Sequence, residues 1–204
     1  MIEVKLATGL GLVVGQLRDD QRAYGVPEGG AMNALSMARM NCALGNSLDA
    51  AGLELTGRFL FQAQSSCQLM LGPASARALL NRESVQPGHV LNLEAFDCLE
   101  VLPSQQGLWC QIAFAGGLNV PHLLGSAGYC ISGGFGGHNN ALLAAGDVLE
   151  CYPTKAKSRV PAVVLPANEA GVVAVKALQG PEFDAIVNDR SLKDWVMSVH
   201  SNRM

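Results

Sequence analysis

Four polar side chains stand in glycine-rich or apolar contexts that would make them chemically useful: Asn33, Glu54, Ser126 and His138. Asn33 closes the run Gly25-Val26-Pro27-Glu28-Gly29-Gly30-Ala31-Met32-Asn33, which leads into a helical pattern. A glycine-rich loop at a helix start leaves backbone N–H groups unpaired and can receive a carboxylate or a phosphate. The alternative is a plain turn in which Asn33 caps the helix. Glu54 lies in the apolar stretch Ala51-Gly52-Leu53-Glu54-Leu55-Thr56. Burial there favours the neutral acid unless a partner holds the charge, so the residue is either a substrate-binding group or a paired core carboxylate. Ser126 and His138 belong to glycine loops, where the structural alternatives are a turn hydroxyl and a surface histidine. Gly133–Gly137 could form a backbone cradle, but without G-x-x-x-x-G-K-[ST] it gives no sign of ATP binding. No residue declares itself a general base, and the catalytic residues stay unassigned.

Other chemistries find less support. The six cysteines occur singly in or beside apolar stretches, with no C-x-x-C pair, as buried free thiols do. The histidines at 89, 122, 138 and 200 show no H-x-x-x-H and no zinc-type spacing with cysteine, so no metal is expected. The 14 basic residues form no stripe interleaved with aromatics, which argues against a nucleic-acid partner, and Lys155–Arg159 reads as a solvated linker.

The elements that must position these groups follow from composition and punctuation. With 204 residues, 49% hydrophobic and 15% charged, the chain can bury roughly 70% of the surface its unfolded form exposes. Apolar runs such as Ala141–Ala145 fall far short of the ~18 residues of a membrane span. Met1–Lys5 alternates like a first strand rather than a signal peptide, so a soluble cytoplasmic protein is expected. Short apolar runs broken by Gly and Pro predict a mainly β fold with a few short helices. Pro87-Gly88-His89-Val90-Leu91 and Ala145-Gly146-Asp147-Val148-Leu149 each read as a glycine turn followed by a strand start. The exception is 33–44, a helix with Asn33 as N-cap and Gly45 beyond its end, expected to bury Leu35, Ala38, Cys42 and neighbouring Met residues. A Pro- and Lys-rich stretch then divides the chain into a β-rich domain, 1–153, a linker, 154–170, and the start of an incomplete second domain, 171–204.

Three stretches taken in order carry a resemblance: Gly25–Met32, as G-V-P-x-x-G-A-M; Ala115–Ser126, as A-G-G-x-x-V-P-x-x-L-G-S; and Gly133–His138 followed by Ala145–Leu149, as G-G-F-G-G-H with A-G-D-V-L. Together they resemble the family of allophanate hydrolase subunit 2, KipA and the 5-oxoprolinase C subunit, related to the biotin-dependent carboxyltransferase half of urea carboxylase. The chain departs from the family's V-Q-D-L-G-R at Val14–Asp19, from S-G-A-M-D at Gly29–Asn33, and from G-S-R-S-T at Gly125–Tyr129. The resemblance implies a fold of cyclophilin-like β-barrel type. It implies one component of an ATP-dependent 5-oxoproline-hydrolysing assembly, with a partner resembling the 5-oxoprolinase B subunit and a small amide or carboxylate substrate. On that reading there is no intrinsic cofactor, and ATP belongs to the assembly. Two other roles come with the family: a non-catalytic KipA-like protein that binds a KipI-like partner, and a carboxyltransferase component whose biotin comes from another chain. Relatives similar at Ser201-Asn202-Arg203-Met204 continue into G-Y-R-L and a further barrel-like region, so the resemblance is to an N-terminal portion that stops before the second domain is complete.

Overall fold

A computed structural model describes residues 1–72, 76–103 and 108–153. Eleven strands and one α-helix occur among them: β1 (Ile2–Ala7), β2 (Gly11–Val14), α1 (Ala34–Ala43), β3 (Gly52–Leu55), β4 (Phe59–Ala63), β5 (Cys67–Gly72), β6 (Arg77–Leu80), β7 (Glu83–Ser84), β8 (Val90–Leu93), β9 (Cys98–Leu102), β10 (Cys110–Phe114) and β11 (Val148–Leu149). A single 3-10 turn covers Arg22–Tyr24. The expected mainly β architecture is present. The strands pair antiparallel in two open sheets, ordered β11-β1-β4-β9-β6-β7 and β2-β3-β10-β5-β8, rather than as one closed hydrogen-bonded cylinder. The expected linker, 154–170, and second segment, 171–204, lie outside the described residues.

The period-two alternation of the strands builds the layers. Ile2 and Val4 from β1, Phe59 and Phe61 from β4, and Leu99 and Val101 from β9 join Leu53, Leu69 and Ile112 of the other sheet in one buried core. Phe59 and Phe61 stack at 5.9 Å between centroids, and a buried ring of this size contributes about 1.5–3 kcal/mol. The opposite face of the five-stranded sheet presents Leu12, Val14, Met70 and Ala113, which pack with Met37, Met40 and Ala43 of α1 and with Leu44 at its end. The helix therefore forms a third layer on that sheet.

The helix lies where its signals put it, but its buried face is rotated from the expected one. Met37, Met40 and Ala43 point inward with Ser36 and Asn41, whereas Leu35 is 59% exposed and Cys42 is exposed. The segment is apolar on more than one side, so spacing alone fits two stripes. The hydrogen bonds of Asn41 to the carbonyls of Leu48 and Ala50 select one of them. The two glycine-turn and Val-Leu echoes do start strands, at Val90 and Val148, but β8 and β11 edge opposite sheets. Their likeness is one of turn chemistry.

All six cysteines are free. Cys110 and Cys130 are buried, and Cys67, Cys98 and Cys151 are partly buried. Only Cys42 departs from the expected burial, because it sits on the solvent side of α1. Burial pushes the Cys110 and Cys151 thiols up to about 12, which keeps them neutral and unreactive.

Candidate functional site

β2 and β10 end, and β3 begins, at the same edge of the five-stranded sheet, where Val14 pairs with Gly52 and Ile112 with Leu53. The glycine-rich segments after β2 and β10, together with the loop from α1 into β3, therefore gather at one end of the sandwich. Three adjoining clefts open there. One, about 320 Å³, is lined largely by apolar and small residues, with Gln16, Asp19 and Asp49 at its polar margin. A second, about 820 Å³, is lined by Asn119, His122, His138, Asn140 and Glu150 among others. A third, about 210 Å³, shares Gln16, Asp49 and Ala50 with the first and His122 with the second. A run of concave surface with a few convergent polar groups has the general character of a small-molecule site.

Asn33 and Glu54 are brought together beneath the first cleft. Glu54 is fully buried on the helix-facing side of β3, with Leu12 and Gln111 as its cross-strand partners. One of its oxygens accepts from the Met32 N–H at 2.6 Å and from Gln111 Nε2 at 2.7 Å. The same Gln111 nitrogen donates to the Asn33 carbonyl at 3.1 Å, and Asn33 Oδ1 accepts from the Ser36 N–H at 3.0 Å. Asn33 is thus a helix cap and Glu54 a paired core carboxylate. The protein's own carboxylate takes up the Met32 N–H just ahead of the helix. Gln111, absent from the sequence candidates, joins the two.

Ser126 is also buried. Its hydroxyl donates to the Gln16 carbonyl and accepts from the Gly128 N–H at 3.0 Å, tying the segment after β2 to the loop after β10. It is a turn hydroxyl. In the Gly133–Gly137 loop three N–H groups are engaged internally: Gly134 to the Cys130 carbonyl, Gly136 to Asn140 Oδ1 and Gly137 to the Ala127 carbonyl.

Its glycines serve another residue that sequence reasoning missed. Arg18 is fully buried; its Nη2 donates to the Gly128 carbonyl, and its guanidinium lies over the Phe135 ring, 5.2 Å from the centroid. A Cβ at Gly29 would come within 2.8 Å of Nη1, and one at Gly136 within 3.0 Å of Nη2. Both positions have positive φ, 70° and 81°, so glycine is required for conformation and for space. Desolvation lowers the Arg18 pKa from its ordinary value, opposed by the nearby Cys130 thiol.

His138 differs from its surface-residue alternative. It is partly buried in the wall of the largest cleft, with Nε2 3.7 Å from Asp147 Oδ1. The other oxygen of Asp147 accepts from the Ala144 N–H, which fixes the carboxylate. At 3.7 Å His138 and Asp147 are in electrostatic contact without a hydrogen bond. His122, whose signal in the sequence is only its place inside the second glycine motif, lines the same cleft.

The floor between the clefts rests on two amides. Asn46 Nδ2 donates to Asn41 Oδ1 at 3.0 Å and to the Phe114 carbonyl at 2.7 Å, while its Oδ1 accepts from the Gly116 N–H at 2.8 Å. Asn41 in turn holds the carbonyls of Leu48 and Ala50, next to the cleft residue Asp49. Among the described residues, no group of three or more His, Cys, Asp or Glu side chains is placed to hold a metal ion. No helix among them is long and apolar enough to cross a membrane.

Comparison with known proteins gives this geometry a family. Residues 24–204 match the carboxyltransferase domain, subdomains A and B. The chain is 30% identical over 193 residues to the 5-oxoprolinase C subunit of Escherichia coli K12, covering 90% of this chain and 60% of that protein. It is 29% identical over 179 residues to the urea amidolyase of Lachancea kluyveri, covering 86% of this chain and 9% of that one. The fold superposes on the urea carboxylase of Kluyveromyces lactis with a TM-score of 0.73 at 25% identity, over 83% of this chain and 16% of that chain. The chain thus spans about 60% of the length of its bacterial relative and a small part of the fungal proteins. With the family match extending over most of its length and the three glycine motifs in order, the chain belongs to the carboxyltransferase-domain family of the 5-oxoprolinase C subunit and the urea amidolyases.

Proposed function

We propose that the chain works as one component of a cytoplasmic, ATP-dependent assembly that hydrolyses the cyclic amide of 5-oxoproline. The likeness to the 5-oxoprolinase C subunit over 90% of the chain is the observation that carries this reading. In it, the clefts at the loop end of the sandwich receive a small amide bearing a carboxylate. His138, with Asp147 beside it, moves a proton at the amide, and His122, Asn119 and Asn140 supply hydrogen-bonding groups around it. Nucleotide chemistry is assigned to other chains of the assembly, among them a partner resembling the 5-oxoprolinase B subunit or KipI. The expected domain division at 154–170 belongs to the same reading, with 171–204 starting a second domain.

A site shared between chains loses its positioning when one is missing, and positioning can supply about 7 kcal/mol or more of barrier lowering. The purified chain alone is therefore expected to show no turnover. Reconstitution with partners of the 5-oxoprolinase A and B types should give ATP-dependent release of glutamate from 5-oxoproline. Turnover by the isolated chain, or none in the complete assembly, would sink the proposal. The match to urea amidolyase favours a second reading, a carboxyltransferase acting with biotin borne on another chain. Carboxyl transfer from carboxybiotin to urea, in place of 5-oxoproline hydrolysis, would select it.

A further inference from the structure

We propose that Arg18 is a binding group for a carboxylate-sized anion that enters between the Gly29-Gly30 turn and the Gly133–Gly137 loop. Arg18 is a fully buried cation whose one side-chain hydrogen bond goes to a neutral carbonyl, that of Gly128. Among the described residues its Nε and Nη1 have no hydrogen-bond partner, and no carboxylate forms an ion pair with it. The Phe135 ring centroid lies 5.2 Å from the guanidinium carbon, and the unused donors Nε and Nη1 point to different edges of the group. A buried charge without a counter-ion opposes folding strongly, and a cation with unused N–H donors matches an anion in charge and in hydrogen bonding.

The position of Arg18 points to ligand chemistry. Its chain neighbours Leu17 and Asp19 line the apolar cleft, and Gly136, against Nη2, lines the histidine-bearing one. Arg18 lines neither cleft itself and lies behind residues of both walls. What covers Nη1 is Gly29, next to Gly30 of the cleft wall, with φ of 70° and 86°. Two consecutive glycines without side chains form a turn that can yield to a ligand at little conformational cost. The ligand class is a small monoanion with oxygen acceptors. Identifying it with the carboxylate of 5-oxoproline rests on the function proposed above, whereas the anion site itself does not.

The test uses the full chain with formate, 5-oxoproline and neutral acetamide as probes. The Arg18 Nε–H resonance is assigned by its loss in Arg18→Lys. Formate should shift that resonance saturably while acetamide leaves it in place. Arg18→Lys and Arg18→Met should each weaken formate binding by about 10-fold or more. Should the methionine variant not fold, the lysine variant and the wild-type resonance carry the test. Formate binding lost in these variants without any binding of 5-oxoproline would uphold the anion site and remove the oxoproline identification. No saturable shift with either anion would overturn the site and leave the free donors to internal water. Undiminished formate binding in Arg18→Lys would likewise overturn it, whereas reconstituted 5-oxoproline turnover unaffected by that variant would remove only the oxoproline identification.

Discussion

Replacing Asn46 with alanine removes the amide that joins the end of α1 to the turn after β10, beneath the clefts. Three hydrogen bonds disappear: those to Asn41 Oδ1, to the Phe114 carbonyl and from the Gly116 N–H. The Phe114 carbonyl keeps the Gly117 N–H, so the chief orphan is the Gly116 donor. Each bond contributes about 1 kcal/mol net, and a donor left unsatisfied adds about 1–3 kcal/mol. Asn46 is only partly buried, so water recovers some of this and the expected loss is about 2–3 kcal/mol. For a chain of this size that lowers the melting temperature by about 5–10 °C. Asn46→Asp keeps the acceptor for Gly116 but sets a carboxylate oxygen against two other acceptors. It should be at least as destabilising at neutral pH and recover partly in acid, where protonation restores a donor. Urea unfolding followed by tryptophan fluorescence measures both. An Asn46→Ala variant within about 0.5 kcal/mol of the parent would show that the amide cluster does not hold the floor of the site.

Further outcomes follow from the same geometry. Met40→Ala should lose about 2–4 kcal/mol, whereas Leu35→Ala on the exposed face should change unfolding by less than about 0.5 kcal/mol; equal effects would reverse the assignment of the helix face. Gly136→Ala sets a Cβ well inside van der Waals contact of the Gly128 carbonyl oxygen at a φ of 81°, and a loss of about 2 kcal/mol or more is expected in a thermal melt. Cys110 and Cys151 are held at about 12 by burial against an ordinary 9.0, so iodoacetamide at about pH 8 should label Cys42 and leave these two intact by mass spectrometry. Because the folded state keeps both thiols protonated while the unfolded chain ionises them near pH 9, their contribution to stability is complete below about pH 9. It falls as pH rises from about 9 to 12, and denaturation midpoints across that range should decline.

Several of these features were legible in the sequence and others were not. The helix, its Asn33 cap and the mainly β character rest on local signals of cap, turn and period, which tertiary packing here reinforces. The buried face of the helix was not legible, because Leu35 and Cys42 fit one apolar stripe as well as Met37 and Met40 fit another. Glu54 stood out as a carboxylate in an apolar run, but its partner Gln111 is 57 residues away and only strand pairing brings them together. Arg18 precedes Asp19 and Asp20 and reads as part of a solvated charged run. Its contact with Gly128 spans 110 residues, and the one hint was a pair of distant glycine motifs whose missing side chains make room for it. The pairing of His138 with Asp147 joins two of the motifs that carry the family resemblance, which neither motif shows alone.

The most direct measurement is hydrogen–deuterium exchange on the reconstituted assembly, with and without 5-oxoproline. Protection is expected in 15–19, 46–51 and 119–140, the segments that meet at the ends of β2 and β10. Protection confined to the opposite end of the sandwich, around Thr8, Thr56 and Arg58, or no change anywhere in this chain, would contradict the placement of the site.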